Sequence, residues 1–436
     1  MIVMGGIIGA GIFVNPSVVA RQVHTPARIL GAWILGGVIA LIGAFVYAEL
    51  AALRPRVGGQ YAYLRDAYHP LVAFLYGWTL LLVVQTGGMA GAAIIFGRYV
   101  RELSGMQTPE GLIAAVALGV LTIVNCAGVR AGSNVQSALM IAKLAAIAML
   151  IGVGAIFLHG APPPAHAASA VVTHATAGAS GLAAAMVPVL FAYGGWQTAS
   201  FVSGEMRDPR RDLPRGLLIG VAGVIAVYLA VTIVCLRALG PDGLAITSTP
   251  ASEVMRRALG ERGARVIALG IALSTVGFLS QSILTAPRVY YAMARDGVFF
   301  RAVGWLDPRS RVPVVAIVLQ GIWAAVIALT GTYDRILNYV VAIDVLFFGL
   351  TGASLLVFRS RARRDGEHQD GSADAVSATH VKVPGHPVTT AFFVLACWAL
   401  SITTVAHDPG SAGIGVLILG AGIVVYQFWR PGRTLD

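Results

Sequence analysis

Charge is what this 436-residue sequence has least of: acidic and basic residues together make 12% of it, and lysine occurs only at Lys143 and Lys382. With 57% hydrophobic residues and a mean hydropathy of +0.78, an ordinary soluble domain is excluded. Cysteine is scarce too. Cys126, Cys235 and Cys397 each fall in an apolar run, with neither the density of a disulfide framework nor the spacing of metal ligands, so they read as small packing residues. Gly-x-Ser-x-Gly, Cys-x-x-Cys and paired histidines are absent. A membrane enzyme would therefore lack its nucleophile, base or metal ligands, and no motif calls for a cofactor or a metal. Gly9-x-Gly11 lacks the third glycine and the preceding strand of a dinucleotide loop. The repeated pore motifs of a channel are missing, and no histidine lies near the centre of an apolar run, which removes a histidine relay. No cleavable signal peptide precedes the first apolar run, which is expected to direct insertion itself. The net charge of +11 sits in short loops, so no nucleic-acid partner is expected.

What is abundant is long apolar sequence. Runs of about 20 residues, each able to cross ~30 Å of hydrocarbon, recur at roughly 1–20, 29–53, 70–98, 111–129, 134–158, 182–203, 214–238, 264–293, 313–331, 334–358, 387–406 and 412–429. A β-barrel would show short alternating segments instead, so an all-α integral membrane protein of twelve transmembrane helices is predicted. An even number places both termini on one side. Arginine and lysine favour the loops of that side by roughly two to one, which puts both termini in the cytoplasm of a multi-pass protein of the cell's inner (plasma) membrane. Loop 54–70 mixes glycine, tyrosine and charge, and reads either as an interfacial loop with an aromatic belt or as a short amphipathic gate segment. Loop 159–181 reads as a flexible surface loop, its histidines too irregular for a metal site. Residues 250–260 read as a short outer helix, and 360–385 as a polar, disordered stretch.

Two spans carry too much glycine for comfort. Residues 5–16 read GGIIGAGIFVNP, and 191–197 read FAYGGWQ. Glycine inside a helix costs about 1 kcal/mol against alanine, and in hydrocarbon any backbone that leaves the helix needs other partners. Broken helix at mid-membrane is tolerated where it lines a cavity. Around Gly9-Ala10-Gly11, carbonyls would end the inner half and N–H groups would open the outer half, offering contacts for an ammonium and a carboxylate. Taken alone, either stretch could equally be tight packing of small residues between helices. The second break, however, lies five spans after the first, where an inverted repeat of five spans places a counterpart. The pair is therefore read as one binding site. The inner half of span one offers only ~12 Å of helix, a short anchor.

Charged residues inside spans are the next signal. Lys143 lies in QSALMIAKLAAIAM (136–149), with apolar neighbours on every helical face. An ammonium there marks an ion path or stands in for an ion, unless it snorkels to a boundary. Asp344, in YVVAIDVLFF, either lines the cavity or is hydrogen-bonded between helices. Glu49 and Glu205 lie near span ends, where interfacial roles are expected.

GIIGAGIF at 6–13, PRVGGQYAYLRDAY at 55–68, FAYGGWQ at 191–197 with GEMRDPRRDLPR at 204–215, and APRVYYAMARDG at 286–297 make the chain resemble the amino acid–polyamine–organocation (APC) superfamily. Within it the chain looks most like the L-type amino acid transporter branch. The resemblance covers nearly the whole chain and implies a LeuT-like fold of two inverted repeats, 1–158 and 182–358, with broken helices 1 and 6. A polar cytoplasmic loop, 359–386, would lead to two further helices within 387–430. It also implies a substrate site built from Ile7, Gly9, Ala10, Gly11, Phe191, Ala192 and Gly194. The substrate carboxylate would meet N–H groups near Ala10 and Gly11, and the ammonium would meet carbonyls of Ile7, Phe191 and Gly194. Phe191 would cover the site as an aromatic lid, while Trp196 is assigned to packing. Some relatives carry serine where Ala10 stands, so recognition here would rest on backbone alone.

Lys143 would reach from span five to the break in span one, where sodium-coupled relatives hold a cation, which implies sodium independence. Lys143 and Asp344 are the candidates for ion or proton coupling. Animal members pair with a glycoprotein through a cysteine after span three. The corresponding RELSGMQTPE (101–110) has none, so no disulfide-linked glycoprotein partner is expected. The resulting expectation is a transporter of neutral L-amino acids working by alternating access, as exchanger or proton-coupled permease, and not an enzyme. The alternatives are a non-transporting amino acid sensor, which would use the same site, and an antiporter of polyamines or cationic amino acids, for which Asp344 is the one plausible cavity carboxylate.

Overall fold

Proline sets the starts of many helices. It cannot donate a backbone hydrogen bond, but its fixed φ suits the first helical turn. The computed structural model describes residues 2–54, 58–127, 133–157, 179–206, 208–309, 312–368 and 381–429, and its regular structure is helical throughout these residues. In chain order the α-helices are α1 Ile2–Ile7, α2 Asn15–Val23, α3 Pro26–Leu53, α4 Gln60–Ala67, α5 Pro70–Thr79, α6 Gln85–Ser104, α7 Glu110–Cys126, α8 Ser133–Phe157 and α9 Ala179–Tyr193. They continue with α10 Pro209–Ile246, α11 Pro250–Thr285, α12 Pro287–Arg295, α13 Val314–Thr330, α14 Tyr333–His368, α15 Val388–His407 and α16 Pro409–Trp429. A π turn, Leu80–Val84, joins α5 to α6, so Pro70–Ser104 runs as one long apolar rod. Gly105 ends it in the left-handed conformation that glycine adopts without penalty. Seven of the described helical runs are long and apolar enough to cross a membrane, and three shorter apolar helices accompany them. Large apolar side chains such as Ile123, Ile156, Ile219 and Leu417 are 70–75% exposed. On a soluble protein such a surface would drive association; on a multi-pass membrane protein it faces lipid.

Trp33 of α3 meets Tyr193 and Tyr228 edge-on at 5.6 and 5.8 Å, and Tyr193 donates to the Trp33 carbonyl at 3.2 Å. Trp196 is buried and stacks on Phe348 at 5.2 Å, a packing position. Pro250 opens a helical stretch that is interrupted at Gly260, in keeping with the short helix read at 250–260.

Two expectations are corrected. The stretch 360–385 is not disordered at its ends: α14 continues through His368, and Val383 docks onto Glu49. Residues 369–380 lie outside the described residues, as does nearly all of loop 159–181. Glu49 is not interfacial either. It is 1% exposed and takes two hydrogen bonds from Arg359, both at 2.7 Å, and one from the Val383 N–H, also at 2.7 Å. This carboxylate ties α3, α14 and the segment leading to α15. Removing one partner of a buried pair costs about 3–5 kcal/mol. Glu49→Ala is therefore expected to lower the thermal midpoint of the purified protein by several degrees. Glu261→Ala, at an exposed ion pair with Arg256, is expected to change it little.

Candidate functional site

The first break follows from glycine placement. Ile8 N–H still bonds to Met4 O at 2.8 Å, but Gly9 N–H turns to Ile7 O at 2.7 Å and the helix stops. A 3-10 turn over Gly11–Phe13 leads into α2. The second break is at Gly194-Gly195, where α9 ends and Gly195 adopts φ +100° before the 3-10 segment Trp196–Glu205 begins. Nearby side chains take over the backbone bonds lost there. Gly195 N–H donates to Gln197 Oε1 at 2.9 Å, and Thr198 Oγ1 donates to Gly195 O at 2.7 Å. In space α1 packs along this 3-10 segment and α2 along α9, so the two interrupted helices lie side by side with their breaks adjacent. Asn15 fastens the arrangement: its Nδ2 donates to Pro188 O, and its Oδ1 accepts from Tyr333 OH, both at 2.7 Å.

The carbonyls freed at the end of α1 are claimed from behind. Lys143 is 2% exposed, so it does not snorkel. Its Nζ donates to Gly5 O at 3.3 Å and to Ile8 O. Tyr228 OH donates to Ile7 O at 3.1 Å. The Ile7 carbonyl is therefore already engaged, with one lone pair left for any further donor.

In front of the breaks is a cavity of about 90 Å³ whose wall includes Ile7, Gly9, Ala10, Gly11, Phe191, Ala192 and Gly194. Lys143 is not part of that wall; it braces the break from the far side. The opposite wall comes from other helices: Gln85 and Met89 of α6, Phe278, Ser282 and Thr285 of α11, and Asp344 and Phe348 of α14. Gln85, like Asn15, is a buried polar residue inside an apolar run. That signal was present in the sequence, as it was for Asp344; Met89, Phe278 and Phe348 carried none. Asp344 faces the cavity, and among the described residues it has no hydrogen-bond or ion-pair partner. The Glu205 side chain lies outside the described residues. Among the described residues no cluster of His, Cys, Asp or Glu could hold a metal.

Phe191, in the cavity wall, meets the Tyr333 ring edge-on at 6.1 Å, and Arg98 lies over the same ring at 6.0 Å. Among the arginine-rich connections lies α4, most of it buried. Arg65 pairs with Asp296, Tyr61 OH donates to Asp296 at 2.8 Å, and Arg361 donates to the Asp66 and Ala67 carbonyls, both at 2.9 Å.

The arrangement can hold a small molecule carrying both a cationic and an anionic group, between freed carbonyls and the N–H groups of a helix start. Comparison with known proteins agrees. The model of the family "Amino acid permease" matches residues 1–426. The chain is 31% identical to the b(0,+)-type amino acid transporter 1 of Mus musculus over 82% of its own length and 74% of that protein's. It is 30% identical to the large neutral amino acids transporter small subunit 2 of Rattus norvegicus, over 98% and 79%. It is 29% identical to the Asc-type amino acid transporter 1 of Homo sapiens, over 98% and 81%. An all-helical chain with two broken helices around one cavity, matched from residue 1 to residue 426, belongs to the amino acid permease family of the APC superfamily.

Proposed function

We propose that this chain carries neutral L-amino acids across a membrane by sodium-independent alternating access. The observation that carries the reading is the convergence of both glycine breaks on one cavity. The substrate carboxylate is placed on the N–H groups that open the turn at Gly11, and its ammonium on the carbonyls of Phe191 and Gly194. Phe191 closes over it. The fixed ammonium of Lys143 on the Gly5 and Ile8 carbonyls supplies positive charge at the break without sodium. The arginine-rich connections are assigned to the cytoplasm, with both termini there, in the plasma membrane or its bacterial equivalent.

Packing supports a twelve-helix, 5+5 inverted repeat over 1–158 and 182–358, followed by the segment 359–386, helical through His368, and two helices in 387–430. A twofold axis relating the repeats would set the spans nearest to it beside their counterparts. The pairs α3 with α10, α6 with α11, α7 with α13, and the two broken helices all pack together. Off-axis contacts also come in related pairs: α8 against α11 corresponds to α14 against α6. The rat relative's name calls it a small subunit. In this chain Cys126, Cys235 and Cys397 are free and residues 101–110 contain no cysteine, so we place no disulfide-linked partner on it.

The test is counterflow in sodium-free liposomes: radiolabelled L-alanine is expected to enter faster when unlabelled L-alanine is inside. Saturable binding without any vesicular uptake would replace the carrier with a sensor.

A further inference from the structure

The wall of the cavity carries one carboxyl group, Asp344, that has no counter-charge among the described residues. Asp344 faces the cavity, and its titratable neighbours are Tyr47, Tyr76 and Cys397, all neutral near pH 7. Among the described residues no other charged group interacts with it. The interior cation, Lys143, is committed to the Gly5 and Ile8 carbonyls and is absent from the cavity wall. The rest of the wall carries no charge: it is backbone, apolar side chains such as Met89, Phe278 and Phe348, and the neutral polar side chains of Gln85, Gln197 and Ser282. A carboxylate enclosed there with only an apolar side chain for company is an unpaired buried charge, which is strongly unfavourable. Thr285 supplies the complementary detail: its hydroxyl is buried, lines the same cavity and has no partner among the described residues. The hydroxyls of Tyr76 and Tyr290 are likewise buried without partners.

We propose that the cavity closes only around a neutralised Asp344. A neutral amino acid is then carried with one proton on that carboxyl, and an amino acid with a cationic side chain is carried without one, its own charge meeting the carboxylate. The proton is taken up on the side where substrate enters and lost where it leaves, so no other reactant is needed. Asp344 thereby sets both coupling and side-chain selection. This rests on the carrier reading above and extends it.

The experiment uses full-length protein in sodium-free liposomes with the membrane potential clamped, comparing L-alanine with L-ornithine. In the wild type an inward proton gradient should accumulate L-alanine up to about tenfold per pH unit, the limit for one coupled proton. L-Ornithine entry should ignore the gradient. Asp344→Asn should lose proton-driven accumulation of L-alanine, and should lose L-ornithine uptake at least about tenfold, the equivalent of 1.4 kcal/mol. If that variant fails to fold, Asp344→Glu should keep coupling with a displaced pH profile. Proton-driven accumulation unchanged in Asp344→Asn, or a wild type that exchanges L-alanine yet ignores the gradient, overturns the proposal while leaving the carrier reading intact. Absence of L-alanine counterflow in the wild type overturns both.

Discussion

Lys143→Ala should abolish amino acid uptake while leaving the protein in the membrane. The ammonium donates to two carbonyls at the end of α1, and nothing else buried there is shown to replace it. Each buried acceptor left without a donor costs about 1–3 kcal/mol, so two of them put about 2–6 kcal/mol against the broken conformation. Every 1.36 kcal/mol taken from a transport-competent state is about tenfold in rate. A loss of at least about a hundredfold is therefore expected. Alanine also leaves a void where the lysine stem packed, which mixes stability with function. Lys143→Met separates the two effects, because it keeps an unbranched apolar stem and removes only the charge and its donors. Uptake by both variants should be measured at equal abundance in liposomes, alongside thermal midpoints. The methionine variant should recover much of the stability and none of the transport. Wild-type uptake by Lys143→Met would show that the break does not depend on the ammonium.

Gly195→Ala should be nearly as severe, for a different reason. Gly195 sits at φ +100°, a region that residues bearing a Cβ rarely occupy, and a Cβ added there would overlap the Gly6 carbonyl oxygen. The neighbour in the way is backbone, so no side chain can rotate aside. The two breaks would be pushed apart at their closest point and the shared cavity would lose its shape. Uptake is expected to fall at least about a hundredfold, again about 3 kcal/mol of lost stabilisation. Gly6→Ala approaches the same contact from the other side, its Cβ meeting Gly195 O at 2.9 Å, and should reproduce the loss. Gly119→Ala is the control. Its Cβ would point into open space, and replacing a helical glycine there should be neutral or stabilising by up to about 1 kcal/mol. Normal transport by Gly195→Ala would mean that the breaks need not touch.

The order of helices, their membrane character and the location of both breaks were legible in the amino-acid sequence, because each is written in local composition. A run of about 20 apolar residues has few fates other than crossing a bilayer. A glycine cluster inside such a run weakens the helix at that place whatever surrounds it. An isolated lysine in apolar surroundings announces a requirement before its partner is known.

What the tertiary structure decided is who meets whom. The Tyr228 hydroxyl reaches the Ile7 carbonyl across 221 residues, and Arg359 reaches Glu49 across 310, so that a carboxylate assigned to the interface became a buried clasp. Gln85, Thr285 and Phe278 entered the cavity wall from helices that the sequence did not assign to the site. The cause is common to all of these. Helices such as α3 and α8, apolar on every side, carry no hydrophobic stripe by which their rotation can be read. Only packing against neighbouring helices chooses which face turns inward.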